Sequence, residues 1–300
     1  MRQDGPSITA WSAAAHRAAH QLLEDGRIFD DPFAVAVVGG VEADILAHAE
    51  ANATRGPMRI FIAVRHRVAE DEVDAAYLRG VRQVVVLGAG FDTFACRNAY
   101  PGLRVWEVDH PATQAVKLET LQAQGIPIPD SAQFVAVDFE VDDLAERLAA
   151  MGFDRLMPAV FLWLGVVPYL TREAVEQTLR YIASVPASSV VFDHPEPVSS
   201  LTDRQRRWHE RRAAAVGRVG EPWITAFAPA DLADLLAEMG MRVVDDVDAR
   251  EIAIRWFGAP ASTPPRPGGH VVTARAEYGV EPAADQEASV SAVPPRLEGP

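Results

Sequence analysis

From residue 83 onward the chain repeats one unit: a short apolar run, β-branched at its centre, then a helical stretch. The runs are 83–87, 104–108, 133–137, 159–164, 189–192, 241–244 and 270–274. They are continuous rather than alternating, which is how strands buried on both faces of a parallel sheet read. Between them, Thr171 can cap a helix that carries Val175, Leu179 and Ile182 on one face. Another helix is predicted from Pro229 to Met239, with Leu232, Leu235, Leu236 and Met239 together and Gly240 ending it. Strands alternating with helices predict an α/β fold with a mostly parallel sheet.

The first eighty residues carry no strand signal. An Ala-rich helix is predicted over 7–23, capped by Ser7 or Thr9. A second is expected to start at Asp30-Asp31-Pro32-Phe33, with Pro32 at the first helical position, and a third to run from Met58 to Leu78. The chain therefore divides into a helical cap (1–80) and a sheet-bearing core (81–275). Residues 195–227 interrupt the core beyond the fifth strand, too long for an ordinary connection, and read as a lid. This insertion holds Arg204, Arg206, Arg207, Arg211 and Arg212, then Gly220-Glu221-Pro222-Trp223. A turn-rich loop, 258–269, precedes the last strand, and the proline-containing acidic tail, 276–300, is expected to be disordered. No internal repeat is visible.

Charge and cysteine content narrow the partners and the compartment. With 28 basic and 42 acidic residues the net charge is −14, which argues against nucleic acid and anionic lipid as partners. Cys96 is the single cysteine, so neither an internal disulfide nor a Cys-based zinc site is available. No apolar stretch follows the charged start as a signal peptide requires. The longest apolar stretch, 157–170, is broken by Pro158, Gly165 and Pro168 and is shorter than the ~18–20 residues of a membrane span. A soluble cytoplasmic protein is the expectation. Oligomeric state leaves no signature in the sequence.

The chemistry concentrates at the ends of the first three strands. Val84-Val85-Val86-Leu87 runs straight into Gly88-Ala89-Gly90, where glycines permit a tight turn and close approach of a ligand. A dinucleotide fingerprint wants a third glycine at position 93, which is Thr93, so a pyrophosphate cofactor is disfavoured. Glu107 and Asp109 stand about 20 residues beyond the turn, where an acid accepts the ribose hydroxyls of an adenosine. Asp109 is preferred because the strand stops at His110-Pro111. Asp138 ends the third strand and can meet an adenine amino group, with apolar Phe139 beside it to cover the ring. Three strand ends converging on one crevice suit an adenosine-bearing ligand without a pyrophosphate.

With these motifs in order, the chain resembles the leucine carboxyl methyltransferase-like enzymes, most closely their bacterial branch of S-adenosyl-L-methionine-dependent O-methyltransferases. The resemblance rests on Asp31-Pro32-Phe33-Ala34, Ala63-Val64-Arg65-His66-Arg67, 87–93, 107–111, 163–170 and 220–223. It covers roughly residues 8–275. It implies a Rossmann-like class I methyltransferase fold: a seven-stranded, mostly parallel sheet with the last strand antiparallel, under an N-terminal helical cover. It implies S-adenosyl-L-methionine as methyl donor, with Gly88, Ala89 and Gly90 toward its methionine portion and Arg65 on its carboxylate. Asp109 would take the ribose, and Asp138 with Phe139 the adenine. Eukaryotic members carry a Glu after the fourth strand; here Trp163 or Leu164 takes that place, so a protein-phosphatase tail is not the implied substrate.

The acceptor is then a carboxylate or hydroxyl of a small molecule or peptide. A carboxylate is already ionised near pH 7, whereas a hydroxyl needs a base. Tyr169, Asp193 and His194 are the candidates, and each also suits a turn or cap. The arginines of 204–212 could attract an acidic acceptor. A cofactor-binding protein without methyl transfer, and a nicotinamide-dependent oxidoreductase, are the alternatives. His16 and His20 have a metal-ligand spacing but lack a third ligand and are flanked by Arg17, so no metal is expected. Cys96 is expected to be buried and inert.

Overall fold

The computed structural model describes residues 7–51, 56–138, 142–218 and 220–277. All seven expected strands are present: β1 (Gln83–Leu87), β2 (Arg104–Asp109), β3 (Ala132–Ala136), β4 (Val160–Trp163), β5 (Ser189–Pro195), β6 (Met241–Val247) and β7 (Gly269–Ala276). They form one sheet in the order β3-β2-β1-β4-β5-β7-β6. β7 runs antiparallel to both of its neighbours, and the other pairings are parallel. The strand order reverses between β1 and β4, so a crevice opens beyond their carboxyl ends. β5 is longer than its apolar run and takes in Asp193 and His194. Ala276, expected to begin the tail, is the last residue of β7. The remainder of the tail, 278–300, lies outside the described residues.

The helices are α1 (Ile8–Glu24), α2 (Ala34–Val37), α3 (Glu42–Ala51), α4 (Gly56–Leu78), α5 (Phe94–Arg97), α6 (Pro111–Ala123), α7 (Leu144–Ala150), α8 (Arg172–Ala183), α9 (Asp203–Arg218), α10 (Pro229–Glu238) and α11 (Ala249–Phe257). Ser7 and Thr171 cap α1 and α8, each accepting a backbone N–H three residues on. The helix expected at Pro32 is only the single turn α2. There the Asp31 carboxylate accepts the Phe33 N–H at 3.0 Å and is otherwise drawn into ion pairs. Among the described residues, no helix is long and apolar enough to cross a membrane.

Each face of the sheet buries its own apolar layer. Trp106, Phe161, Trp163 and Phe192 pack on one side against Leu179 of α8 and Leu236 of α10. Val84, Val86, Leu162 and Val191 pack on the other against Ala63, Val64 and Val68 of α4. The cap adds a third cluster, in which Ala14, Ala18 and Val37 meet Phe91 just past the glycine turn.

Buried charges tie this cap to the core. Arg17 of α1 donates at 2.6 Å both to Asp31 and to the Phe91 carbonyl. Asp31 also accepts the Thr93 hydroxyl at 2.8 Å and lies 3.3 Å from Arg97, which pairs with Glu70 at 2.5 Å. Burial pushes the Asp31 carboxyl up, but the guanidiniums of Arg17 and Arg97 outweigh it and hold it below the usual range. A carboxylate so enclosed stays only because its charge is matched.

The far end of the sheet carries a second buried cluster. His270 opens β7 between Asp246 of β6 at 2.8 Å and Glu196 at 3.2 Å, and its ring stacks on His194 at 5.2 Å. Burial opposes charge on His270, yet the hydrogen bonds and charges of Asp246 and Glu196 prevail and raise it above its ordinary 6.5. Burial, with the His270 charge adding to it, lowers His194 to about 4 and keeps it neutral. A raised histidine contributes stability that is complete below about 6.5 and is lost as pH rises through the folded-state value. Denaturant midpoints of the wild type should therefore fall relative to His270→Gln as pH climbs from 6 toward 9. Parallel curves would show that the pair of carboxylates does not stabilise the imidazolium.

Candidate functional site

A cleft of about 1370 Å³ opens at the carboxyl ends of β1 and β4. Its floor is the turn after β1. Gly88 and Gly90 adopt φ of +63° and +49°, the left-handed region that glycine enters without cost. The Ala89 N–H donates to the Val108 carbonyl at 3.0 Å, and the Gly90 N–H donates to the Asp109 carboxylate. A Cβ on Gly88 would overlap a methyl of Val166, and one on Gly90 would lie 3.1 Å from Ala10 of α1. Gly88→Ala should therefore lower stability by roughly 1–2 kcal/mol from backbone conformation alone, with the clash in addition. Val166→Ala in the same chain should relieve the clash and leave the conformational part. Thermal unfolding of the single and double variants measures both, and a neutral single variant would refute the account.

The acids at the ends of β2 and β3 reach the same cleft. Asp109 lines it, and its second oxygen accepts the His110 N–H at 2.6 Å. Burial raises the Asp109 carboxyl, opposed by those two N–H groups. Glu107, two residues earlier, is not on the lining. It is buried against Lys117, the one lysine of the chain, and burial pushes it up to about 7. Asp138 is on the lining, where its N–H donates to Asp142 at 2.9 Å. Phe139 lies outside the described residues.

Arg65 enters from α4. Its Nη1 donates to Asp193 of β5 at 3.2 Å, and the other Asp193 oxygen accepts the Gly165 N–H at 2.5 Å. Gly165, at φ +73°, leaves room for the guanidinium: a Cβ there would lie 3.1 Å from Arg65 Cζ. Both side chains are more than nine-tenths buried, and Arg65 Nε has no hydrogen-bond partner. Such an orphaned donor on a buried cation suits an anionic ligand group.

Three sequence-based expectations are corrected by this geometry. Trp163 does not reach the cleft: it is fully buried on the α8 face of the sheet beside Phe192, and its neighbour Leu164 lines the cavity instead. Asp193 does not stand free as a base, because Arg65 and Gly165 occupy its carboxylate. The arginines Arg204, Arg206, Arg207 and Arg211 are not on the lining, where α9 presents Gln205 and His209; the side chain of Arg212 lies outside the described residues. His194 borders the cleft but is enclosed, donating through Nδ1 to its neighbour's carbonyl at 3.1 Å. Tyr169 lines the cleft from a turn of 3-10 helix, Val167–Tyr169.

His20 turns away from His16 to bond Glu24 at 3.0 Å and the Ile28 N–H at 3.3 Å. Among the described residues no cluster could hold a metal ion. Cys96, expected to be buried, is half-buried, and burial raises its thiol to about 11. Two contributions were not foreseen. The N-terminus of α1 and Phe61 of α4 form one wall, and Glu221 accepts the Thr9 N–H at 3.1 Å, tying the insertion to the cap. The motif containing Glu221 was visible in the sequence, but a bond spanning 212 residues has no local signal.

Comparison with known proteins agrees with this arrangement. Residues 10–183 match the family described as leucine carboxyl methyltransferase. A Streptomyces coelicolor protein provisionally named an S-adenosyl-L-methionine-dependent methyltransferase is 33% identical over 287 residues, covering 92% of this chain and 97% of its own. A Saccharopolyspora erythraea protein of the same provisional name is 32% identical over 254 residues, covering 81% and 85%. The crystal structure of a DUF574-family protein from Streptomyces avermitilis shares the fold at TM-score 0.54 and 16% identity, over 84% of this chain and 97% of that one. The chain thus belongs to the leucine carboxyl methyltransferase family of S-adenosyl-L-methionine-dependent methyltransferases.

Proposed function

We propose that this enzyme moves the donor's methyl group onto an oxygen of a small molecule held in the outer half of the cleft. The observation that carries the reading is the meeting of Gly88, Gly90, Asp109, Asp138 and Arg65 on one cavity. At about 1370 Å³ that cavity exceeds the roughly 300–1,000 Å³ of a single drug-sized ligand, which leaves space for an acceptor beside the donor.

Bound S-adenosyl-L-methionine supplies a methyl group already activated by its sulfonium. The protein's part is to bind and align. Arg65, fixed by Asp193, holds the donor carboxylate; Ala89 and the flanking glycines let the backbone close on the methionine portion. Asp109 takes the ribose hydroxyls, and Asp138 the adenine, with Leu164 as an apolar wall. Alignment of an acceptor oxygen in line with the methyl can supply roughly 7–11 kcal/mol of the barrier. Residues 195–227 and α1, joined through Glu221 and Thr9, act as the lid of a cytoplasmic, soluble enzyme with a helical cap over 1–80. Tyr169 at the cleft wall offers a hydroxyl for orienting the acceptor.

The test is a donor-dependent gain of one methyl, with release of S-adenosylhomocysteine, across a panel of carboxylic acids, phenols and short peptides. Donor binding without transfer to any of them would reduce the protein to a carrier.

A further inference from the structure

The outer half of the cleft has a chemical character of its own. The lining of the cleft includes an apolar set, Met58, Ile60 and Phe61 from α4 together with Trp223, Ile224 and Phe257. Ile224 and Phe257 remain 57% and 49% exposed although they line a cavity, the mark of an apolar surface that a ligand covers. The lining also holds Glu196, paired with His270, and Glu221. Among the described residues the lining holds two fixed cations, and both are engaged, Arg17 by Asp31 and Arg65 by Asp193. Arg27 lies against the Phe257 ring, at 5.8 Å from its centroid, but outside the lining. Among the described side chains of α9, the ones on the lining are Gln205, whose amide donates to the Pro267 carbonyl, and His209 on Trp223.

Resting on the methyl-transfer reading above, we infer that the acceptor is an uncharged, largely apolar molecule, aromatic in the sense of a phenol or naphthol, methylated on a hydroxyl rather than on a carboxylate. A free carboxylate entering among these apolar side chains would lose its water and, among the described residues, meet on the lining no cation that is not already paired. A neutral hydroxyl on an apolar scaffold meets none of these costs and buries its rings against Phe61, Trp223 and Phe257. In the transfer the acceptor oxygen forms its bond to the methyl carbon as the carbon–sulfur bond breaks. The hydroxyl proton leaves to solvent, with His209, beside Trp223 on the lining, as an imidazole able to relay it. S-adenosylhomocysteine departs uncharged at sulfur, so atoms and charge balance.

Calorimetry on the full chain tests this. The protein is first saturated with S-adenosylhomocysteine, then titrated with 2-naphthol, methyl 2-naphthoate and 2-naphthoate, which share one ring system. The expected result is that the two neutral compounds bind at least about tenfold more tightly than the carboxylate, a difference of ~1.4 kcal/mol. Equal or tighter binding of 2-naphthoate overturns the inference, as does binding of none of the three. Failure of S-adenosylhomocysteine itself to bind would instead overturn the assignment of the donor site, and the two failures are separately visible.

Discussion

Replacing Asp109 with alanine should weaken the hold on S-adenosylhomocysteine by at least about a hundredfold while the chain still folds. The carboxylate is 6% exposed on the cleft wall, and each oxygen already accepts one backbone N–H, from Gly90 and from His110. A carboxylate oxygen has two lone pairs, so each retains one for a ribose hydroxyl. Hydrogen bonds to a charged group contribute about 1.5–3 kcal/mol each, and two of them amount to roughly two to four powers of ten in affinity. Alanine removes those bonds and frees the Gly90 N–H, so the turn beneath the donor loosens as well. Asn should recover part of the loss, since its carbonyl can serve one N–H and its amide cannot serve the other. Calorimetry with S-adenosylhomocysteine measures both variants. An alanine variant that binds within threefold of the wild type would remove Asp109 from the site.

Asp109 could be placed from sequence because its signal is local: a strand, a stop, and a fixed distance from a glycine turn. The same logic located all seven strands and the floor of the cleft. It did not separate Trp163 from Leu164, and the reason is physical. β4 is apolar on both faces, so its sequence carries no alternation to say which side chain points where. Phe161 and Trp163 turn to one layer and Val160 and Leu162 to the other, and only tertiary packing fixes that parity. Asp193 and His194 have the same ambiguity at the end of β5. Asp193 faces α4 and Arg65, whereas His194 faces Phe227 and His270. Read as a polar pair in a turn, both looked equally fit for a base. Within a strand, neighbours belong to opposite faces, and neither is a free base.

The buried ion pairs were equally illegible, since partners such as Arg65 and Asp193 lie 128 residues apart. On the proposed reading, their consequence is a donor site that is preassembled. Arg17 fixes α1 to the glycine turn, and Asp193 fixes Arg65 over Gly165. A guanidinium already held by one carboxylate loses little rotamer freedom when it receives a second, which favours binding.

Arg65→Ala should accordingly damage stability and binding together. It leaves the Asp193 carboxylate, 5% exposed, with the Gly165 N–H as its remaining described partner. Removing one member of a buried pair typically costs about 3–5 kcal/mol, because the other charge stays behind without compensation. Asp193→Ala on the Arg65→Ala background removes that stranded charge and should restore part of the stability. It should not restore binding, because the donor's carboxylate still lacks its cation. Denaturant unfolding of the two single variants and the double variant separates the effects, and the coupling between the pair should exceed about 1 kcal/mol. Additive single losses would show that the two side chains act independently. Recovery of S-adenosylhomocysteine affinity in the double variant would show that Arg65 serves the fold alone and that some other residue receives the donor's carboxylate.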